Sequence, residues 1–334
     1  MSVASGKTRL FEEYRIPTEG DEELFAMAMM PRHPRRVVFM PPLVGAGAAQ
    51  APMTFRNMVK RGCILLSYQY RGHPKCTGIF DLDTTVVDTR YALMWAWNYA
   101  KDRGLPLHAL TQCYGTVPLL AQFAPGGCGP IVTSISLGSA LVSMDQILQI
   151  GDFVPILARH LGIKLDLAGM LDGLKAKLFN WRSKPCRMAL YEYLMQMFPE
   201  LRITPESFED LAYDRTDLES TLYQFLTARY FHRVSVPARI PCHLFLGVRD
   251  DMMHLHTDEG REIYENRVRE LIPHAVPHYY DIDHFGRGPG REPLIEVMAD
   301  VCEESEQTLS RKSTVAGAPP MRTENNEVTA SVLE

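Results

Sequence analysis

Short apolar runs alternate with longer amphipathic stretches along much of the chain. Residues 23–30 read as a strand, closed by a turn at 31–34 that holds two prolines. Val37-Val38-Phe39-Met40 is uninterruptedly apolar and stops at Pro41-Pro42, the pattern of a buried strand halted by a loop. The small-residue loop Leu43-Val44-Gly45-Ala46-Gly47 leads into a predicted helix at 51–61 and a second apolar strand at 63–68. The turn Tyr70-Arg71-Gly72-His73 follows directly. Residues 83–103 place Val86, Val87, Ala92, Leu93, Trp95, Ala96 and Tyr99 broadly on one face of a long helix, which ends at Gly104-Leu105-Pro106. A third strand, 108–111, breaks sharply at Gln112-Cys113-Tyr114-Gly115-Thr116; a helix at 117–123 and a fourth strand at 131–137 come next.

This alternation is that of a parallel α/β sheet. It stops near residue 142, where four helix-forming stretches follow one another. It resumes with a strand at 243–246, a helix at 257–271, a strand at 277–281 and a last helix at 292–305. The expected organisation is an α/β core in two parts, 1–141 and 237–305, with a helical lid insertion at 142–236. A polar, aromatic-free stretch at 306–334 reads as a disordered tail.

Composition changes this picture little. The 334 residues are 46% hydrophobic and 22% charged, which excludes collagenous, coiled-coil and wholly disordered chains. A net charge of −5 offers no general attraction for nucleic acid or an anionic membrane. The longest nearly uncharged apolar stretch, 37–49, contains two prolines and is shorter than the roughly 20 residues of a membrane helix. The N-terminal residues lack the apolar centre of a secretion signal, so a cytoplasmic protein is expected. Seven cysteines with no CxxC pair argue against a disulfide framework or a structural zinc.

Position along the chain then divides those cysteines. Strand, tight turn and helix meet at residues 110–123, the mechanical setting of a nucleophile elbow. Such a turn lifts one side chain above the sheet and aims the N–H groups of the next helix at it. Cys113 holds the nucleophile position, and a helix N-terminus favours a thiolate. Gly115 and Thr116 supply the small flank on one side; Thr111 stands where a glycine is usual on the other. A packing cysteine at a strand end is the plain alternative. Two downstream loops favour chemistry. One strand ends in Gly247-Val248-Arg249-Asp250-Asp251 and another in Asp281-Ile282-Asp283-His284-Phe285. Nucleophile, acid and histidine in that order, each past a strand end, make the α/β-hydrolase arrangement.

Together, the loop after residue 40, the Tyr70-Arg71-Gly72-His73 turn, the Cys113 elbow, Gly247-Val248-Arg249-Asp250 and Asp283-His284-Phe285 resemble the α/β-hydrolase superfamily over residues 20–305. The cysteine is similar to that of dienelactone hydrolases, polyhydroxyalkanoate synthases and the hydrolase domains associated with GMC-type oxidoreductases. Phe80-Asp81-Leu82-Asp83 adds to the last likeness. The resemblance implies a mostly parallel central sheet with flanking helices. It also implies Cys113 as nucleophile, His284 as base and Asp250 as its orienting acid, with Asp251 as rival. The oxyanion hole would use the backbone N–H of Tyr114 and of Leu43, with Val44 as fallback, because Pro41 and Pro42 have no N–H to offer.

A thiolate gives a thioester intermediate, which amine, thiol or carbon nucleophiles capture well, so acyl transfer competes with hydrolysis as the expected outcome. The substrate class is a lipophilic ester or thioester, including one carried by CoA or an acyl carrier. Met144, Met170, Met188, Met195 and Met197 in the insertion suit such a ligand, although a plain helical core explains the same stripe. No cofactor, metal or nucleic-acid partner is expected. Gly45-Ala46-Gly47 lacks the third glycine of a dinucleotide loop, and His254 with His256 lacks a third ligand. A catalytically silent α/β-hydrolase fold that binds a ligand or partner is the rival from another functional class.

Overall fold

The computed structural model describes residues 10–43, 47–73, 75–78, 80, 82–141, 234–251, 253–284 and 286–315. Eight strands are found among them: β1 (Phe11–Pro17), β2 (Glu23–Met29), β3 (Arg36–Met40), β4 (Cys63–Tyr68), β5 (Leu107–Gln112), β6 (Ile135–Gly138), β7 (Cys242–Gly247) and β8 (Val276–Tyr280). They form one sheet in the order β1-β2-β4-β3-β5-β6-β7-β8. β1 and β2 pair antiparallel, as do β2 and β4; every pairing from β4 to β8 is parallel. The expected mostly parallel sheet is borne out. Its helices are α1 (Gln50–Thr54), α2 (Leu82–Asp102), α3 (Thr116–Ala121), α4 (Asp258–Leu271) and α5 (Arg291–Val315).

Apolar runs without alternation arise because both faces of the sheet are covered. Val37 and Phe39 face a core shared with Ala92 and Leu93 of α2 and with Val117 and Leu120 of α3. Val38 and Met40 face the opposite core, built with Phe55, Met58 and with Leu294, Ile295 and Met298 of α5. All four strand residues are at most 1% exposed. The order β4-β3-β5 reverses the direction of chain progress at β3, so a crevice opens between the ends of β3 and β5. That is where open α/β sheets bind ligands.

Several expected boundaries move. β1 has no counterpart among the expected elements: it is an edge strand, and its Glu12, Glu13 and Arg15 need no burial there. The helix expected at 51–61 is α1 followed by a 3₁₀ segment (Arg56–Arg61) that Gly62 closes in a left-handed conformation. The strand expected at 131–137 shortens to β6.

The last helix runs on to Val315, so order does not end at residue 305. Its extension has a physical reason at the lower edge of the sheet. Arg36, 3% exposed at the start of β3, pairs with Glu303 and Glu306 of α5. His108 bridges Glu306 and Ser134 at 3.0 and 2.8 Å. The insertion expected at 142–236 lies outside the described residues except for its last three, as does the tail beyond 315.

Candidate active site

Five loops meet above the ends of the parallel strands. At the end of β5, Gln112 is still extended, and Cys113 turns into the left-handed region at φ 45°. A non-glycine side chain there carries backbone strain, which persists only when the surroundings enforce it. They do so here. A short 3₁₀ turn (Cys113–Gly115) runs straight into α3, and the carbonyl of Cys113 accepts the N–H of Leu141. Gly115 has ordinary helical angles (φ −56°), so its need for glycine is spatial. A Cβ on it would stand 2.2 Å from Thr111 Oγ1, 2.8 Å from Pro41 O and 3.2 Å from Pro42 O. Thr111, at the position where glycine is usual, thus occupies the space that Gly115 leaves open. Its hydroxyl points at Pro41 O, 3.4 Å away.

The acid and histidine loops are stitched together by backbone. Val248 N–H donates to Tyr280 O (2.9 Å), and Arg249 N–H to Ile282 O (3.0 Å). This crossing passes so close to Gly247 that a Cβ there would lie 2.4 Å from Ile282 O, which is why glycine opens the Gly-x-x-Asp turn. Asp250 then sits fully buried, with Oδ1 accepting the N–H of Met253 at 3.0 Å and Oδ2 bonded to His284 Nδ1 at 3.0 Å. Of the two neighbouring aspartates, it is therefore Asp250 that meets the histidine; Asp251 is half-buried and takes other partners.

His284 is 6% exposed. Burial works against its charged form, yet the hydrogen bond to the Asp250 carboxylate and the interaction with Cys113 outweigh it and raise its pKa well above the ordinary histidine range. The His284 ring is thus hydrogen-bonded to the buried Asp250 carboxylate and interacts with the half-buried Cys113 side chain. Chemically, such an arrangement can deprotonate the thiol, hold the resulting imidazolium and return a proton to a leaving group.

Around these three residues lie groups that sequence reasoning placed less well. Tyr114 is buried, and its hydroxyl bonds to Thr85 Oγ1 on α2 at 2.8 Å. The loop after β3 is held from beneath by the fully buried Tyr70, whose hydroxyl donates to Pro42 O at 2.9 Å. Leu43 follows, part-exposed; Val44, the other possible donor, lies outside the described residues. Arg71 is fixed by Asp88, which accepts from its N–H and Nε at 2.8 and 2.7 Å. Burial pushes the Asp88 carboxyl up to about 6 against the pull of Arg71. An aspartate on the inner face of α2 was the signal that could have revealed this anchor. His73 is buried against Tyr70 and Phe80, as a turn histidine would be.

His254 and His256 lie 6.3 Å apart at the entrance to α4, and among the described residues no group of three or more His, Cys, Asp or Glu could hold a metal. Among the same residues, no helix is long and apolar enough to cross a membrane.

No family model matches the chain, and no curated protein matches it in sequence. Solved structures do match in shape. A thermostable carboxyl esterase from Bacillus coagulans superimposes with a TM-score of 0.54 at 16% identity, over 89% of this chain and 99% of the esterase. A soluble variant of the monoglyceride lipase of Saccharomyces cerevisiae gives 0.53 at 14% identity, over 90% and 96%. An esterase of Pyrococcus furiosus gives 0.54 at 13% identity, over 88% and 90%. These are esterases and lipases of one architecture, and it is the architecture built above from strand order, elbow and loops: the chain has the α/β-hydrolase fold.

Proposed function

We propose that the chain is an acyl-transfer enzyme acting on a lipophilic ester or thioester through Cys113, His284 and Asp250. The observation that carries this reading is a strained, left-handed Cys113 at the elbow that interacts with a buried His284, itself hydrogen-bonded to the buried Asp250 at 3.0 Å. The esterases and lipases among its structural neighbours support the same reaction class.

In this mechanism His284 takes the thiol proton and the Cys113 thiolate attacks the acyl carbon, forming a C–S bond and an oxyanion. The N–H groups of Tyr114 and Leu43 receive the oxyanion. Collapse expels the alcohol or thiol, which leaves with the proton held by His284. An acceptor then gives a proton to His284, attacks the acyl-cysteine carbonyl and releases Cys113. Asp250 keeps Nδ1 protonated, so Nε2 is the atom that exchanges protons with sulfur and substrate. Water as acceptor makes the enzyme an esterase or thioesterase; an amine, alcohol or thiol makes it an acyltransferase. The methionine-rich sequence inserted between β6 and β7 supports an apolar acyl group, delivered as a simple ester or as a thioester of CoA or an acyl carrier.

Intact mass spectrometry after incubation with p-nitrophenyl and CoA esters of increasing chain length tests the reading. An acyl adduct should appear on the wild type and be absent from Cys113→Ala. Adding amine, alcohol and thiol acceptors then separates transfer from hydrolysis. No adduct with any donor, on protein whose Cys113 is still alkylated by iodoacetamide, would sink the proposal and favour a silent binding fold.

A further inference from the structure

We propose that Tyr70 is a positioning residue for the oxyanion hole, aiming the N–H of Leu43 at the reacting carbonyl by holding the other end of the same peptide group. The inference rests on the acyl-transfer reading above.

Pro41 and Pro42 bring no N–H to the loop that follows β3, so the first donor available is the N–H of Leu43. That N–H shares a planar peptide with the carbonyl of Pro42, and no cis peptide occurs among the described residues. In a trans peptide, C=O and N–H point in opposite directions. Fixing one fixes the other.

The Pro42 carbonyl is fixed. It accepts the Tyr70 hydroxyl at 2.9 Å, and it faces the underside of the elbow, 3.2 Å from where a Cβ of Gly115 would be. Tyr70 is 0% exposed and packed against Tyr68, His73 and Phe80, so its hydroxyl comes from the core side. Burial also holds its pKa well above the ordinary phenol range, which keeps it a donor. With the carbonyl turned inward, the Leu43 N–H, on the opposite side of the same planar peptide, points away from the Tyr70 hydroxyl, and Leu43 itself is part-exposed. The side chain of Tyr114, the other donor residue, is tied through Thr85 at 2.8 Å.

Tyr70→Phe removes the hydroxyl and keeps the ring. The test compares two reactions of Cys113 in the full chain. Acylation by a p-nitrophenyl ester or acyl-CoA needs an oxyanion hole; alkylation by iodoacetamide needs the thiolate but builds no oxyanion. Tyr70→Phe should slow acylation on the order of 10- to 100-fold, less than outright loss of a donor, with KM and the alkylation rate nearly unchanged. Leu43→Pro, which deletes the N–H itself, should lose at least as much, and the double variant should match Leu43→Pro alone.

Wild-type acylation rates in Tyr70→Phe would overturn the inference. So would alkylation falling in step with acylation, since that marks general damage to the site, or full acylation by Leu43→Pro, since that moves the donor elsewhere. If Tyr70→Phe folds too poorly to assay, Leu43→Pro decides: the expected loss supports the inference and unchanged acylation ends it. A wild type that is alkylated at Cys113 but never acylated would refute the acyl-transfer reading itself, an outcome distinct from all of these.

Discussion

Thr111 and Gly115 flank the elbow as a complementary pair, and that pairing can be measured. A methyl at Gly115 would lie 2.2 Å from Thr111 Oγ1 and 2.8 Å from Pro41 O, both closer than real Cβ contacts come, and 3.2 Å from Pro42 O. Thr111 can swing or be trimmed, but the two carbonyls belong to a loop pinned by Tyr70. Overpacking of a rigid site costs about 1–3 kcal/mol and occasionally more, so Gly115→Ala should destabilise the fold by about 2–4 kcal/mol. Thr111→Gly alone should cost about 1 kcal/mol for a glycine in a central strand. In the double variant the 2.2 Å clash is gone but the 2.8 Å contact remains, so rescue is partial. The interaction energy of the cycle should fall between about 1 and 2 kcal/mol in the favourable direction. Urea unfolding of the four proteins, with m held constant as a check, reads these numbers. A Gly115→Ala chain within about 0.5 kcal/mol of wild type would refute the reasoning, as would strictly additive losses.

Other outcomes follow from the same structure. Asp250→Asn should cut kcat/KM on the order of 10²- to 10⁴-fold, because the amide no longer holds the His284 tautomer, whereas Asp251→Asn should leave it within about threefold. Steady-state kinetics of the two variants with one ester decide between the neighbours. Cys113→Gly should be more stable to urea than Cys113→Ala by about 1 kcal/mol, since glycine adopts φ 45° without strain; equal midpoints would mean that the elbow stores none. Finally, burial and the neighbouring His278 lower the pKa of His243 to about 4. A histidine depressed in the folded state contributes stability that is full above about pH 6.5 and lost as pH falls towards 4. As His243 is only half-buried, solvent screening limits this to about 1–2 kcal/mol. Unfolding measured at pH 7 and pH 4.5 should therefore lose that much less in His243→Phe than in wild type. Asp88 has the opposite sign, stabilising on the acid side of about 6, but it is common to both proteins and cancels in the difference.

Residues buried on both faces made the sheet readable. Val37-Val38-Phe39-Met40 and Cys63 to Tyr68 have no solvent side to carry polar groups, so their composition alone declares strand. β1 has a solvent side and a free edge, so its charges mask it. The grouping of Cys113, His284 and Asp250 was legible because each residue stands one to four positions beyond a strand end, and parallel pairing brings those ends level. What was not legible is the support beneath it. Tyr70 reaching Pro42, Tyr114 reaching Thr85 and Asp88 reaching Arg71 span 17 to 29 positions, with no periodicity to betray them. The elbow's missing glycine looked like a defect in the sequence. In space it is a trade of volume between Thr111 and Gly115.

The buried Arg36 has a consequence for how the chain is made. Its guanidinium lies at the start of a central strand, yet one of its carboxylates, Glu306, is 270 positions away. His108 on the adjacent strand waits for the same side chain. A ribosome adding 5–20 residues per second leaves the strand-forming segments waiting for Glu306 for roughly 15–55 s. During that interval two groups meant for the interior lack their partner and keep their water. The lower edge of the sheet therefore closes only once the segment carrying Glu306 has been made.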